Sequence, residues 1–298
     1  TGGARYDDNS IFGGHGSPRL YANWQTTENW AIKGGVATGF VAPTMQQYVP
    51  YIGNGQRGGA TTWGNPDLQP ETSLNKEIGA YYDNLDNFSA NITYFHTGYN
   101  DKIANTGSRC LSAPAGQPSS GGCWVGPDGR PMSVYFNVPK AVIQGVELAA
   151  RWTMTEELTL SGSYTYTNSK MHTSGISIHG FPLGQADGLA PVSTPRHVAT
   201  ARLDWQAREN LNTYLRASYR SEDNQGVNWG GGSNPMEKSV GHLLTFDAGL
   251  SWQINESLAL NAAVYNITDQ TNYDPGRASG YQYVEDGRRL WVGMRGTF

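Results

Sequence analysis

The residues able to do chemistry are few and poorly arranged for catalysis. Cys110 and Cys123 are the two cysteines, with twelve residues rich in Gly, Pro and Ser between them. Two thiols alone make a poor metal site. In an oxidising compartment they would instead close a disulfide worth on the order of 3 kcal/mol through lost unfolded-chain entropy. His15, His96, His172, His179, His197 and His242 never fall in a His-x-x-His or His-Glu-x-x-His pair, so the sequence predicts no protein-ligated metal and no resident cofactor. Gly53-Asn54-Gly55-Gln56-Arg57-Gly58 fits a Gly-x-Gly-x-x-Gly string. A nucleotide cradle needs a buried strand before it and a helix after it, and neither pattern is present, so the string reads as a loop. No Gly-x-Ser-x-Gly nucleophile motif occurs, and no spacing of nucleophile, base and acid stands out. An enzyme is not expected.

These residues lie between elements with a two-residue beat. Leu158, Leu160, Gly162, Tyr164 and Tyr166 interleave with Thr159, Ser161, Ser163, Thr165 and Thr167. Period two over such a length is a strand with one apolar and one polar face, long enough for a tilted membrane crossing. Phe88 to Tyr94, Leu211 to Arg220 and Leu244 to Trp252 repeat the beat. Short polar turns join the strands at Gln25–Asn29, Asp83–Asn87, Thr153–Glu157, Gln206–Asn210 and Gln253–Ser257. The alternate connections are long, near 41–72, 98–134, 168–195, 221–242 and 270–286, and hold most of the Gly and Pro. About twelve strands follow from the pattern. Short turns at one rim and long loops at the other predict an all-β fold, a transmembrane antiparallel β-barrel with its long loops outside the cell.

Composition agrees. The 298 residues carry 17 Tyr, 9 Trp, 8 Phe and 38 Gly but only 15% charged residues, sparse for a soluble surface. Mean hydropathy is nevertheless −0.52, and no window offers the run of apolar residues that a membrane helix needs. A net charge of −4 and a pI near 5.8 leave no basic patch for nucleic acid. Soluble sandwiches and lipocalin-like barrels also alternate. Here, however, the face opposite the apolar one carries Lys33, Glu77, Glu147, Arg151, Arg202, Asp204, Arg216, Asp247 and Arg295. Such a set fits a wide or plugged lumen with lipid outside.

Ser17-Pro18-Arg19-Leu20-Tyr21, Lys33 to Phe40, Gly64-Asn65-Pro66-Asp67-Leu68-Gln69-Pro70-Glu71, Tyr265-Asn266-Ile267-Thr268-Asp269 and Gly287-Arg288-Arg289 together resemble stretches of TonB-dependent receptors. The Asn-Pro and Gln-Pro pairs enforce extended, turn-like backbone. Within that family, Asn137 to Val142 with Gly145 to Glu147, and Ser193 to His197, resemble the ferric enterobactin and colicin I receptors. A closing amphipathic strand that ends on Phe298 resembles the signal read by the barrel-assembly machinery.

The resemblance implies a plugged barrel of 22 strands, of which residues 1–298 would be the C-terminal part. The N-terminal plug and first strands would then lie outside this sequence. It implies an outer-membrane receptor for ferric siderophores, of catecholate type, with iron carried inside the chelate. Implied partners are the TonB-ExbB-ExbD complex, reached through the plug, outer-membrane lipid and lipopolysaccharide, and colicins or phage on the loops. A bulky anionic tris-catecholate calls for cations and aromatic faces in an outward vestibule. The outer-loop candidates are Tyr48, Tyr51, Arg57, Trp63, Arg109, Trp124, Arg130, Tyr135, Trp229, Tyr273, Arg277, Tyr281 and Tyr283. The rival reading is a complete twelve-stranded barrel, acting as a passive pore or an outer-membrane hydrolase.

Overall fold

The structure is a computed structural model that describes residues 1–49, 61–105, 124–125, 131–175, 177–178, 181–182, 187–190, 194–227, 236–271 and 285–297. Its elements are Gly2–Asn9 (β1), Gly13–Gln25 (β2), Trp30–Val41 (β3), Met45–Tyr48 (α1), Thr61–Trp63 (β4), Glu71–Asp83 (β5), Phe88–Asn105 (β6), Trp124–Val125 (β7), Pro131–Thr153 (β8) and Leu158–His172 (β9). Ser177–Ile178 (β10), Phe181–Pro182 (β11), His197–Arg208 (β12), Leu211–Arg220 (β13), Asp223–Val227 (β14), Met236–Val240 (β15), Leu243–Asn255 (β16), Leu258–Tyr265 (β17) and Arg289–Gly296 (β18) follow.

Twelve of these strands form one meandering antiparallel wall in the order β1-β2-β3-β5-β6-β8-β9-β12-β13-β16-β17-β18. Among the described residues, β1 and β18 are not paired with each other, so the sheet is an arc. The short turns close through their own side chains. Asn84 Oδ1 accepts the backbone N–H groups of Asp86, Asn87 and Phe88, which frees Leu85 to take a positive φ of 62°. The Thr27 hydroxyl accepts from the Asn29 and Trp30 N–H groups, and the Thr155 hydroxyl accepts from Glu157 and Leu158. Neighbouring turns are also tied together, since Asn29 Nδ2 donates to Asp83 O and Asn210 Nδ2 to Gln253 O.

Register assigns every side chain to a face. One set of cross-strand partners runs Trp24, Ile32, Ala80, Ile92, Leu148, Tyr164, Ala199, Tyr219, Leu244. This is the lipid-facing side, and it stays exposed in the isolated wall, with Leu20 at 61% and Ile78 at 58% accessibility. Trp24, Trp30, Tyr82, Phe88, Trp152, Trp205 and Trp252 cluster beside the short turns on this face. Trp30 packs on Tyr82 at 4.8 Å, and Tyr82 on Phe88 at 6.1 Å. That is the aromatic girdle expected where a wall meets the headgroups.

The inner face is polar. One row passes from Asp83 through Ser89, Arg151, Ser161, Arg202 and Arg216 to Asp247. Arg202 and Arg216 are direct cross-strand partners, a repulsive placement. Each is offset by its own carboxylate: Arg202 bonds Asp204 at 2.7 Å, and Arg216 bonds Asp247 at 2.6 Å. Arg202 also lies over the Tyr214 ring at 4.1 Å. Tyr214 in turn covers Gly249, as Tyr21 covers Gly35 and Phe95 covers Gly145, so a Cβ at any of these glycines would strike a ring. Aromatic rings laid over glycines stiffen strands that would otherwise be weak.

Two loop boundaries differ from the sequence expectation. β6 runs on to Asn105 and β8 starts at Pro131, so the connection expected at 98–134 is shorter at both ends. These strands keep pairing past the position where Asp101, with a φ of 53°, faces Pro139. Pro139 has no N–H to give the ladder, and Asn137 Nδ2 instead donates to Asp101 O at 2.7 Å. Likewise β9 continues to His172 and β12 begins only at His197. The small pairs β10–β11 and β14–β15 sit within the long connections. Among the described residues no helix is long and apolar enough to cross a membrane, which says nothing of a barrel.

Candidate functional site

The outer mouth is built where β8 extends beyond the wall. Its Met132–Val134 stretch pairs in parallel with β4, and Pro131 and Met132 pair antiparallel with β7. Trp63 comes opposite Val134, Trp124 opposite Met132, and Tyr135 follows on β8 itself. The backbone positions of three aromatic candidates far apart in sequence are therefore neighbours at one strand end.

The short helix that ends on Tyr48 is tied to the same strand end. Thr44 caps α1 in a capping box with Gln47, the Gln47 N–H bonding Thr44 Oγ1 while Gln47 Oε1 accepts the Thr44 N–H. Tyr48 packs edge-on against Phe12 in the β1–β2 turn, with ring centroids 5.2 Å apart. The carbonyl of Gln47 accepts the Asn65 N–H at 2.7 Å, and Asn65 Nδ2 donates to Tyr135 O at 3.0 Å. Asn65 thus pins the end of α1 to β8. Gly64 permits this approach, because a Cβ there would fall on the Val49 carbonyl.

The rest of the Gly64–Glu71 segment is a clamp. Asn137 Oδ1 accepts the Gln69 N–H at 2.9 Å, and Asn137 Nδ2 donates to Gln69 O at 2.9 Å, so one amide satisfies both backbone groups of Gln69. Leu68 is buried to 1% accessibility. Glu71 closes the clamp: one oxygen accepts from Lys102 Nζ at 3.3 Å and the other from the Ile103 N–H at 3.1 Å. Phe136, Val138, Ala141 and Met171 pack together nearby as the one buried apolar cluster among the described residues.

A separate anchor holds the base of the last long connection. Asn266 is 6% exposed and left-handed, with a φ of 51°. Its N–H donates to Asp247 Oδ1, its Nδ2 donates to Gln270 O and Asp286 O, and its Oδ1 accepts the Gln270 N–H. Asp247 therefore spends one oxygen on Arg216 of the lumen wall and the other on this anchor. Asp269, also left-handed, accepts the Arg288 N–H at 2.6 Å.

Of the sequence candidates, Tyr135 lies on β8, the backbone of Trp63 and of Trp124 pairs beside it, and Tyr48 ends α1 with its ring on Phe12. Tyr51, Arg57, Arg109, Arg130, Trp229, Tyr273, Arg277, Tyr281 and Tyr283 lie outside the described residues, as do Cys110, Cys123 and Phe298. Sequence reasoning missed Asn137 and Asn266 as organising residues. The pairing of 69 with 137 has no sequence signature, whereas Asn266 in Tyr-Asn-Ile-Thr-Asp was legible as a residue tolerant of positive φ. A concavity of about 610 Å³ lies elsewhere, on the arc near the short-turn rim, lined by Ala31, Tyr81, Asn91, Arg151 and Ser161 among others. No group of three His, Cys, Asp or Glu able to hold a metal occurs among the described residues.

Comparison with known proteins adds the following. Residues 1–267 match the family model described as TonB dependent receptor-like, beta-barrel. The iron-regulated outer membrane virulence protein of Vibrio cholerae serotype O1 is 36% identical over 298 residues, covering 99% of this chain and 41% of that protein. The ferric enterobactin receptor PirA of Pseudomonas aeruginosa is 30% identical over 313 residues, covering 100% of this chain and 39% of that protein. Among solved structures, a variant of the P. aeruginosa ferric enterobactin receptor PfeA in complex with enterobactin aligns with a TM-score of 0.72 at 26% identity. That alignment covers 99% of this chain and 42% of the receptor. The chain spans about two fifths of the length of these relatives.

Proposed function

The chain belongs to the TonB-dependent receptor β-barrel family, and from that premise we propose that it is the C-terminal wall and outer mouth of a ferric-siderophore receptor of catecholate type. The observation that supports this reading is the backbone pairing that brings the β4 strand ending on Trp63 and the β7 strand starting on Trp124 beside the end of β8 that carries Tyr135, with Gln47, next to Tyr48, tied to Tyr135 through Asn65. Aromatic residue types drawn from separate loops to one strand end suit a chelate that presents catechol rings. The relatives named for ferric enterobactin support the same chemistry. In this reading iron is cargo, carried inside its chelator and never ligated by the protein.

The remaining strands and the plug belong to the rest of a longer protein, as the two-fifths share of the relatives supports. Uptake is then energised through the plug by the inner-membrane TonB complex, and the loops are also the surface that colicins or phage would use. The passive-pore alternative requires a closed twelve-stranded barrel, which β1 and β18, not paired with each other among the described residues, do not favour. The test is binding of ferric enterobactin by the full-length receptor, followed by tryptophan fluorescence quenching, beside growth of a deletion strain on that iron source. Micromolar or tighter binding with lost growth is expected. Absence of binding together with unchanged growth overturns the substrate assignment.

A further inference from the structure

The part of β8 that rises above the wall carries contacts on both of its faces. Phe136 and Val138 are buried, Pro139 and Lys140 are exposed, and Ala141 is buried again. The two-residue alternation therefore slips by one where Asp101 faces Pro139. The slip brings Phe136 and Val138 to the inner side, where they pack with Ala141 and Met171 and with Tyr99 and Ala104 of β6. Tyr135 and Asn137 are thereby turned to the opposite face. From that face Asn137 holds the 64–71 clamp through both backbone groups of Gln69.

A third connection reaches the same strand end. β12 meets β9 as far up as Tyr166 and Thr167, whose partners are His197 and the Arg196 carbonyl. Higher up, residues 187–190 take its place on that edge as a strap. Met171 donates its N–H to Leu189 O and accepts the Gly188 N–H on its own carbonyl, both at 2.8 Å. Gly188 permits the tight entry with a φ of 79°. Asp187 Oδ1 accepts the Thr173 and Ser174 N–H groups at 2.7 and 3.1 Å, just past the end of β9, and Thr173 is fully buried there. Leu189 then packs on the cluster formed by Phe136, Val138 and Met171. Beyond Lys140, β9 no longer pairs with β8, so what packs on the two faces of β8 has more to fix.

We propose that the 187–190 strap, the β6–β8 extension and the 64–71 clamp open as one cooperative unit latched by Asp187. The carboxylate holds the strap on β9, the strap seats Leu189 on the cluster, and the cluster backs the stretch of β8 whose other face carries Asn137 and the clamp. A ligand held at the mouth then also fixes the β9–β12 connection, which it need not touch. That consequence rests on the mouth being the binding site; the coupling itself does not.

The test is amide hydrogen exchange of the full-length receptor in detergent. Asp187→Ala removes two hydrogen bonds, about fivefold each, so Thr173 and Ser174 should exchange about 30-fold faster. The Gln69 and Ile103 N–H groups, bonded to Asn137 and Glu71, should speed up by a similar factor. Asp187→Asn keeps an acceptor oxygen and should restore most of the protection. Leu189→Ala leaves the carboxylate bonds in place and should still loosen Gln69. Ferric enterobactin at 100 times its dissociation constant should slow Gln69, Ile103 and Thr173 alike, by about 100-fold. Wild-type exchange at Gln69 and Ile103 in an Asp187→Ala receptor that has lost protection at Thr173 overturns the proposal, since Asp187 would then cap β9 and nothing more. So does an unchanged Gln69 in Leu189→Ala, a ligand that slows Gln69 but not Thr173, or loosening that spreads into the β12–β13 pair. A wild type that binds no ferric enterobactin sinks the substrate assignment instead, and the variants still decide the coupling.

Discussion

Asn266 offers a clean separation of backbone strain from hydrogen bonding. Its side chain makes three bonds, two donated by Nδ2 and one accepted by Oδ1, in a site only 6% exposed. At about 1 kcal/mol each, removing them by Asn266→Gly should ease local opening at the base of the 266–288 connection by about 3 kcal/mol. Glycine keeps the positive φ at no steric cost. Asn266→Ala loses the same bonds and adds the left-handed penalty of roughly 1 to 2 kcal/mol for a residue bearing a Cβ. The assay is amide hydrogen exchange of the full-length receptor in detergent, read on the Gln270 N–H, which bonds Asn266 Oδ1 at 3.1 Å. With about 1.4 kcal/mol per factor of ten, the glycine variant should exchange roughly 100-fold faster than the wild type, and alanine roughly a further five- to 25-fold faster. If Gln270 keeps its wild-type protection in the glycine variant, Asn266 is not the anchor. If alanine exchanges no faster than glycine, the positive φ carries no cost there.

Other outcomes follow from the same contacts. Asn137→Ala should loosen the 64–71 clamp by about 2 kcal/mol, less than three full bonds because part of the site is wet, and should be visible as faster exchange at Gln69 with the wall unchanged. Gly64→Ala should displace the segment at Val49 and separate α1 from β8, read as proteolytic cleavage near residue 49 in the intact receptor. Asp247→Ala should cost more than Arg216→Ala in thermal unfolding, since it orphans both the Arg216 guanidinium and the Asn266 N–H. Trp63→Ala and Trp124→Ala should each weaken ferric enterobactin binding about tenfold by titration, on the scale of a stacking aromatic. Unchanged affinity in both would remove these residues from the site.

The wall was legible because its physics is periodic. Each outward row of Trp, Leu, Tyr and Ala and each inward row of Ser, Thr, Arg and Asp follows from alternation alone, and the hairpin turns announce themselves through Asn84, Thr27 and Thr155. The mouth was less legible. Gly64 to Glu71 could be recognised as extended and turn-like, but its purpose depends on Asn137, some seventy positions on, and no local pattern links the two. The reach of β6 and β8 beyond the membrane was hidden for a related reason. Above the lipid band the alternation has no bilayer to obey, and Asp101 opposite Pro139 looks like the end of a strand when it is only an interruption.

The polar row from Asp83 to Asp247 begins at the short-turn end of β5 and finishes near the loop-side end of β16. It therefore climbs as it goes round, like a thread cut on the inside of a nut. Any body seated against the wall that moves outward while keeping the same row of partners must turn as it travels. One that moves straight up instead must break with each of Arg151, Arg202 and Arg216 and meet unlike groups above them. Positive charge on the lumen wall is thus laid along a rising line, from Arg151 to Arg202 and Arg216, and not at one height.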